Sequence, residues 1–179
     1  MALIGITAGI LLVSLSRASL EVMNRDEREG RLRVVPVIID GRTIYKLPQT
    51  NMLPNNGFYI FKEIRNSLWQ SFSNGSEKEA KTVLILADKK MGEARTLAEK
   101  GKYRLALEAS MKAVDKLKYA NGLVTMMKNQ NTAQKQMIAQ VKETSLAYSE
   151  IIREIGQKSG ADNQKYILLQ KEIDDFKDK

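Results

Sequence analysis

The chain of 179 residues is 43% hydrophobic and 28% charged, which is the composition of a globular protein rather than of a disordered one. It contains no cysteine and no histidine, which excludes disulfides, thiolate metal sites, cysteine nucleophiles and histidine bases. We therefore expect no catalytic residue, no cofactor and no metal site. Only three prolines and long runs of helical periodicity indicate a mostly helical fold.

The net charge of +8 allows two interpretations. It could attract the protein to an anionic surface such as nucleic acid, phospholipid headgroups or an acidic wall polymer. Alternatively, lysine-rich helices simply keep their outer faces solvated, which we prefer because no dense basic run or interleaved aromatic residues are present. The basic excess is greatest from 102 to 128, where only Glu108 and Asp115 oppose it. The candidate anion-binding residues, called the basic set below, are Lys102, Arg104, Lys112, Lys116, Lys118 and Lys128.

The chain begins with an uncharged segment, Met1 to Ser16, that is almost wholly apolar. It is shorter than the roughly 20 residues of a bilayer-spanning helix, and small residues at Ser16 and Ala18 suit signal cleavage. We predict a signal peptide over 1–18, with a membrane anchor as the close alternative because no basic residue precedes the apolar run. A buried N-terminal helix of a cytosolic protein is a third interpretation. Residues 19–31 are predicted to be a polar spacer.

A β-hairpin is predicted over 32–47. Val34–Ile39 is rich in β-branched residues, Asp40-Gly41 favours a two-residue turn, and Arg42–Tyr45 again has strand character. Because an isolated two-stranded hairpin is marginally stable in water, we expect it to pack on the helices.

A helix is predicted to follow the loop 47–57, from Phe58 to Phe72. Its apolar stripe consists of Phe61, Ile64, Leu68 and Phe72. Trp69 lies beside the stripe, and we interpret it as a core anchor rather than a ligand-stacking ring.

The strongest pattern is the stretch from Ser76 to Lys118. Ser76 and Glu79 have the spacing of a capping box, and Gly101 stands where a helix stop is expected. Apolar or small residues recur every three or four positions on both sides of this glycine: Ala80, Val83, Leu84, Ala87, Met91, Ala94 and Leu97 before it, and Tyr103, Ala106, Leu107, Ser110, Val114 and Leu117 after it. So short a connection predicts an antiparallel helical hairpin.

Two further helices are predicted beyond a break at Lys128–Thr132, where Asn131 or Thr132 could serve as N-cap. The sequence does not decide whether the chain is a continuous helix across this break. The first of the two should close at Gly156, and the last carries Tyr166, Leu169, Ile173 and Phe176. We predict a mainly α fold, an antiparallel bundle of about five helices over 52–179 with a small N-terminal β-hairpin.

One family resemblance covers Met52 to Leu117. It rests on Leu53-Pro54, Phe58-Tyr59, Lys62, Ala87-Asp88-Lys89-Lys90 with Glu93-Ala94, and Lys100-Gly101-Lys102. In their order and spacing, these pieces resemble a bacterial extracytoplasmic helical domain of unknown function. The resemblance implies a Leu-Pro-led aromatic helix and a helical pair behind an export signal or membrane anchor, and it implies no catalytic residues. Gly92 departs from an ideal helix interior at a cost of about 1 kcal/mol relative to alanine.

These observations predict a non-enzymatic protein of the bacterial cell envelope, acting as a protein-binding or scaffold module. Its partner is expected to be an envelope protein, and its N-terminal segment is expected to associate with the membrane. The alternative is an anion-binding module that uses the basic set for nucleic acid or an acidic envelope polymer, of which nucleic acid is the less favoured. A small hydrolase would need two carboxylates facing each other in a cleft.

Overall fold

Two strands and four long helices make up the described part of the chain. A computed structural model describes residues 34–39, 42–48, 53, 59, 63–64, 66–67, 70, 75–127, 132–160 and 163–177. The elements are β1 (Val34–Ile39), β2 (Arg42–Pro48), α1 (Ser76–Glu99), α2 (Tyr103–Thr125), α3 (Thr132–Lys158) and α4 (Asn163–Lys177). The mainly α class and the small N-terminal β-hairpin are confirmed, but the described helices number four rather than about five. None of these helices is long and apolar enough to cross a membrane, and the apolar segment of residues 1–18 lies outside the described residues.

The predicted helical hairpin is confirmed as α1 and α2. Gly101 has a φ of +70°, which glycine adopts without strain. Its N–H donates to the Ala98 carbonyl, and the Lys102 N–H donates to that of Leu97, both at 2.9 Å. These bonds satisfy carbonyls that the end of α1 would otherwise leave unpaired. The chain therefore reverses direction within three residues.

The start of α1 differs from the predicted capping box. The N-cap is Gly75 with a φ of +98°, no side-chain hydrogen bond caps the helix, and Ser76 is already its first helical residue. The Gly75 carbonyl accepts the first bond of the helix, from the Glu79 N–H at 2.9 Å. Acidic Glu77 and Glu79 in the first turn still favour this end electrostatically.

Alanines line the contact between α1 and α2. Six fully buried alanines recur every seventh residue at matching distances from Lys100: Ala80, Ala87 and Ala94 on α1, and Ala106, Ala113 and Ala120 on α2. A methyl group occupies little space, so such a row lets two helix backbones approach closely. This makes the α1–α2 pair the most extensive contact between elements.

The later helices are separate rather than continuous across 128–132. α2 ends at Thr125 and α3 begins at Thr132; residues 128–131, including the proposed cap Asn131, lie outside the described residues. Gln134 holds the two helices together, because its amide Nε2 donates to the carbonyls of Val124 at 2.9 Å and Met127 at 3.1 Å. This side chain supplies donors to the otherwise open end of α2.

The prediction that the third long helix stops at Gly156 is wrong. α3 continues to Lys158, and the left-handed glycine beyond its end is Gly160, with a φ of +59°. Gly156 is buried, and a Cβ there would lie 2.8 Å from the Cβ of Tyr166 on α4. The glycine permits two helices to approach rather than ending one.

The β-hairpin packs on the helices, as expected. β1 and β2 are antiparallel with Ile39 opposite Arg42, and a register shift occurs at Val37/Ile38. Val37 and Leu47 are buried in the common core, and the strands contact α1 and α3. The turn residues Asp40-Gly41 lie outside the described residues.

The predicted helix from Phe58 to Phe72 falls largely outside the described residues. Six described positions within it have helical backbone: Tyr59, Glu63, Ile64, Asn66, Ser67 and Gln70. We call these six the 59–70 segment; Phe61, Leu68, Trp69 and Phe72 are outside it. The prediction that Ile64 belongs to a buried stripe is wrong, since its side chain is 52% exposed while Asn66 is buried. The segment turns polar side chains inward here because they contact charged residues of α1.

Candidate functional site

The central helix α1 carries polar side chains on two of its buried sides. More than half of its residues are buried, and these include Lys90 and Glu93; Asp88 is half-buried. At 100° per residue, Lys90 and Glu93 lie within about 60° of each other, and Asp88 points to a different side. The helix thus presents a carboxylate to the hairpin and α3, and an ion pair to the 59–70 segment.

Asp88 lies between two tyrosines from different elements. Its Oδ2 accepts a hydrogen bond from the Tyr45 hydroxyl of β2 at 2.8 Å, and its Oδ1 accepts one from the Tyr148 hydroxyl of α3 at 2.8 Å. Burial raises the pKa of Asp88 to about 6, although both tyrosine hydrogen bonds act to lower it. One carboxyl group therefore joins a strand, the central helix and α3.

The two tyrosines are held as neutral hydrogen-bond donors. Burial, followed by the Asp88 charge, raises the pKa of both Tyr45 and Tyr148 well above the ordinary value. The Thr144 hydroxyl of α3 also lies 3.1 Å from the Tyr45 oxygen, and the Glu143 charge acts on Tyr45 in the same direction as Asp88.

The second cluster contains a lysine, two glutamates and a tyrosine. The Lys90 Nζ lies 2.8 Å from Glu63 Oε1 and 3.5 Å from Glu93 Oε2, and the Glu93 side chain is only 1% exposed. The Tyr59 hydroxyl donates to Glu93 Oε1 at 2.7 Å and accepts from Lys90 at 2.5 Å. Lys90 also lies 4.9 Å from the centre of the Tyr59 ring, within reach of a cation–π interaction.

This cluster explains why the 59–70 segment turns a polar side inward. Its Tyr59 and Glu63 neutralise and hydrogen-bond charges that α1 would otherwise bury alone. Burial, followed by the Glu93 hydrogen bond, raises the pKa of Tyr59 above its ordinary range, so this hydroxyl also stays protonated. Glu63 and Glu93 are the acidic pair that the fold brings together here, and Lys90 engages both of them.

The five described members of the basic set are distributed along α2 rather than gathered on one face. Lys116 is half-buried and donates to Gln70 Oε1 at 3.4 Å, and burial lowers its pKa. Lys118 lies on the opposite flank of α2 and forms an ion pair with Glu172 of α4. Anion binding by this set stays a prediction.

The other members of the basic set are at or near the outer face of α2. Arg104 is exposed and pairs with Glu108 at 3.6 Å. Lys112 is exposed, and Lys102 occupies the N-cap of α2. Lys128 lies outside the described residues.

Gly92 marks the place where the hairpin touches α1 most closely. A Cβ at this position would lie 2.1 Å from the Pro48 carbonyl oxygen at the end of β2, a distance that atoms do not tolerate. Three residues further on, Arg95 Nη1 donates to the Pro36 carbonyl of β1 at 3.4 Å. The lower helix propensity of Gly92 is therefore offset by a structural need, because only a residue without a Cβ lets the end of β2 pack this closely on α1.

The sequence pattern predicted neither the Asp88 contact with the two tyrosines nor the cluster of Lys90, Glu93, Tyr59 and Glu63. The available signal was the position of Asp88, Lys90 and Glu93 among apolar residues on a helix with little room for a solvent face. Within the described residues, no three acidic side chains are close enough to hold a metal ion.

The comparison with known families decides the classification. A family model described as "Domain of unknown function (DUF5667)" matches residues 51–159, more than half of the chain. The chain belongs to the DUF5667 family. No curated protein and no solved structure matches it.

The matched range confirms the resemblance to a domain of unknown function stated from Met52 to Leu117. The DUF5667 range contains α1, α2 and α3, and with them Asp88, Lys90 and Glu93. The β-hairpin that supplies Tyr45 precedes it, and α4 follows it. The Asp88 contacts thus join the DUF5667 domain to an element outside its matched range.

Proposed function

We propose that this chain is a non-enzymatic protein-binding or scaffold module of the cell envelope. The buried polar groups of α1 support the non-enzymatic part, because Asp88, Lys90 and Glu93 are engaged in holding one element to another. Side chains of this kind are used for positioning elements of a fold, whereas a catalytic group must reach a substrate.

The observation that carries the binding role is on α4. This helix buries Tyr166, Leu169 and Ile173 against the bundle, yet its outer side exposes Ile167 and Leu168, which are 55% and 63% exposed. An amphipathic helix that only covers its own core needs polar residues on the outside. Adjacent exposed aliphatic side chains favour contact with an apolar surface of another protein.

The envelope location rests on residues 1–18, whose apolar, uncharged composition suits an export signal or anchor. Expression of the full chain followed by separation of membrane, soluble envelope and cytosolic fractions tests it. We expect the protein in the membrane or soluble envelope fraction. Cytosolic protein with an intact N-terminus would refute the location.

The binding role is tested by mild crosslinking in whole cells with the variant Ile167→Gln/Leu168→Gln. Glutamine keeps helix propensity while removing the apolar surface. Met111→Gln is the matched control, because Met111 is a 50% exposed apolar residue on α2, a different helix. We expect one reproducible crosslinked partner to disappear in the double variant and to persist in the control.

Partners that are unchanged in the double variant would exclude α4 as the binding face. A crosslink only to a second copy of the chain would mean that α4 binds another copy of this protein rather than a different partner. Circular dichroism of each variant checks that the helical content is retained.

A further inference from the structure

The contact between the β-hairpin and the bundle is built around an acid, and no cation from the described residues is among the groups that shift its pKa. Asp88 uses both carboxylate oxygens to accept hydrogen bonds from Tyr45 and Tyr148. In the part of the chain that the structure describes, burial and these two bonds are the influences that shift its pKa. A carboxylate that is partly removed from water and hydrogen-bonded to neutral hydroxyls costs free energy when it is ionised.

The neutral acid can satisfy the same three groups. A protonated carboxyl group donates one hydrogen bond and still accepts others, and a tyrosine hydroxyl both donates and accepts. Protonated Asp88 can therefore donate to one tyrosine oxygen and accept from the other hydroxyl. The Thr144 Oγ1, 3.1 Å from the Tyr45 oxygen, is close enough to accept a hydrogen bond from the Tyr45 hydroxyl when that hydroxyl turns away from Asp88.

We propose that Asp88 is a proton-sensitive latch: its protonation tightens the docking of the β-hairpin on α1 and α3, and its ionisation loosens the docking. This inference rests on the geometry of the contact and is independent of the proposed scaffold role. Loosening would uncover Val37 and Leu47 of the hairpin, which are buried in the docked state.

The described titratable groups around Asp88 are tyrosines and one more distant acid. β2 contributes Tyr45, and α3 contributes Tyr148 and the more distant Glu143, whose charge acts on Tyr45. From β1 and α2, no described titratable group is among those that shift the pKa of Asp88. Since these described neighbours are neutral tyrosines and another acid, none of them places a positive charge beside ionised Asp88, and the two tyrosine hydrogen bonds only partly offset its burial.

The sign of the pH dependence follows from the raised pKa. Docking lifts the pKa of Asp88 from its ordinary 3.8 to about 6, so the docked state binds the proton more tightly than the opened state. Docking is therefore strongest below the ordinary pKa and weakens as the pH rises through about 6. For full exposure on opening, linkage gives about a tenfold stronger docking at pH 5 than at pH 7.5.

Hydrogen exchange of the strand amides in the full chain tests the latch. After correction for intrinsic exchange, we expect protection of β1 and β2 amides to rise up to about tenfold from pH 7.5 to pH 5. Asp88→Asn should remove this dependence, and Asp115→Asn, at an exposed acid on α2, should keep it. Protection that is flat or falls toward pH 5, or a dependence that survives in Asp88→Asn, would overturn the proposal.

A measurement on the unaltered chain decides the question if Asp88→Asn fails to fold. Carbon-detected NMR follows the Asp88 carboxyl and the strand amides through one titration. We expect both to change with a shared midpoint near pH 6. A carboxyl midpoint near 4, or strand signals that ignore the carboxyl transition, would overturn the latch.

Discussion

At the scale of single residues, the polar groups inside the described part of this protein include side chains that join two elements and a hydroxyl that has no hydrogen-bond partner. Asp88, Lys90, Glu93 and Gln134 are of the first kind. The Ser110 hydroxyl on α2 is of the second, because it is fully buried and has no hydrogen-bond partner among the described residues. Such a hydroxyl has lost its hydration without compensation.

Ser110→Ala is therefore expected to stabilise the protein. Removing the unpaired oxygen should raise the free energy of unfolding by about 1 kcal/mol, as measured by urea denaturation. Ser145→Ala is the control, since the Ser145 hydroxyl donates to the Val141 carbonyl at 2.8 Å and its removal should bring no gain. Equal gains in both variants would contradict the distinction.

At the scale of elements, two glycines inside helices have opposite roles. Gly92 of α1 seats the end of β2, where a Cβ would lie 2.1 Å from the Pro48 carbonyl oxygen. Gly122 of α2 has nothing within 4 Å of the place where a Cβ would be. The same substitution should therefore change stability in opposite directions.

Gly92→Ala should lower the free energy of unfolding by about 1–3 kcal/mol, because the hairpin backbone must move away. Gly122→Ala should raise it by up to about 1 kcal/mol through helix propensity alone. Thermal and urea unfolding of the two variants give the comparison. A gain from both substitutions would show that β2 does not rest on α1.

Elements whose formation depends on residues close together in the sequence were predictable. The reversal at Gly101 and the periodic faces of α1 and α2 depend on neighbouring residues, and so does the hairpin between Val34 and Leu47. The errors concern partners that are distant in sequence. Glycine at position 156 is typical of a helix end, yet it is required there because Tyr166 of α4 packs against it. Ile64 fits the predicted apolar stripe, yet its side chain is exposed and polar side chains of the segment face α1 instead.

The buried charges could not be predicted for the same reason. Helical periodicity assigns Lys90 and Glu93 to solvent, because an isolated amphipathic helix keeps its charges there. The hydrogen bonds and charge that Tyr59 and Glu63 of the opposing segment supply make their burial tolerable. The raised pKa of Asp88 likewise requires tyrosines 43 residues before and 60 residues after it.

At the scale of the whole molecule, α1 is the element to which the others attach. It packs on α2 through a row of alanines, and contacts the hairpin at Gly92 and Asp88. It meets α3 at Tyr148 and the 59–70 segment at Lys90 and Glu93. The polar contacts select the position of each attached element, while the apolar core supplies most of the stabilisation.

The most direct test of this central role is a double-mutant cycle of Lys90→Met and Glu93→Met, measured as free energies of unfolding. Lys90→Met removes the positive charge 3.5 Å from buried Glu93 and should cost about 3–5 kcal/mol. Glu93→Met should cost less, since Lys90 keeps Glu63 at 2.8 Å. The double variant should be more stable than Lys90→Met alone, because both buried charges are gone. Losses that simply add would contradict the account, since they would mean that Lys90 and Glu93 do not meet inside the protein.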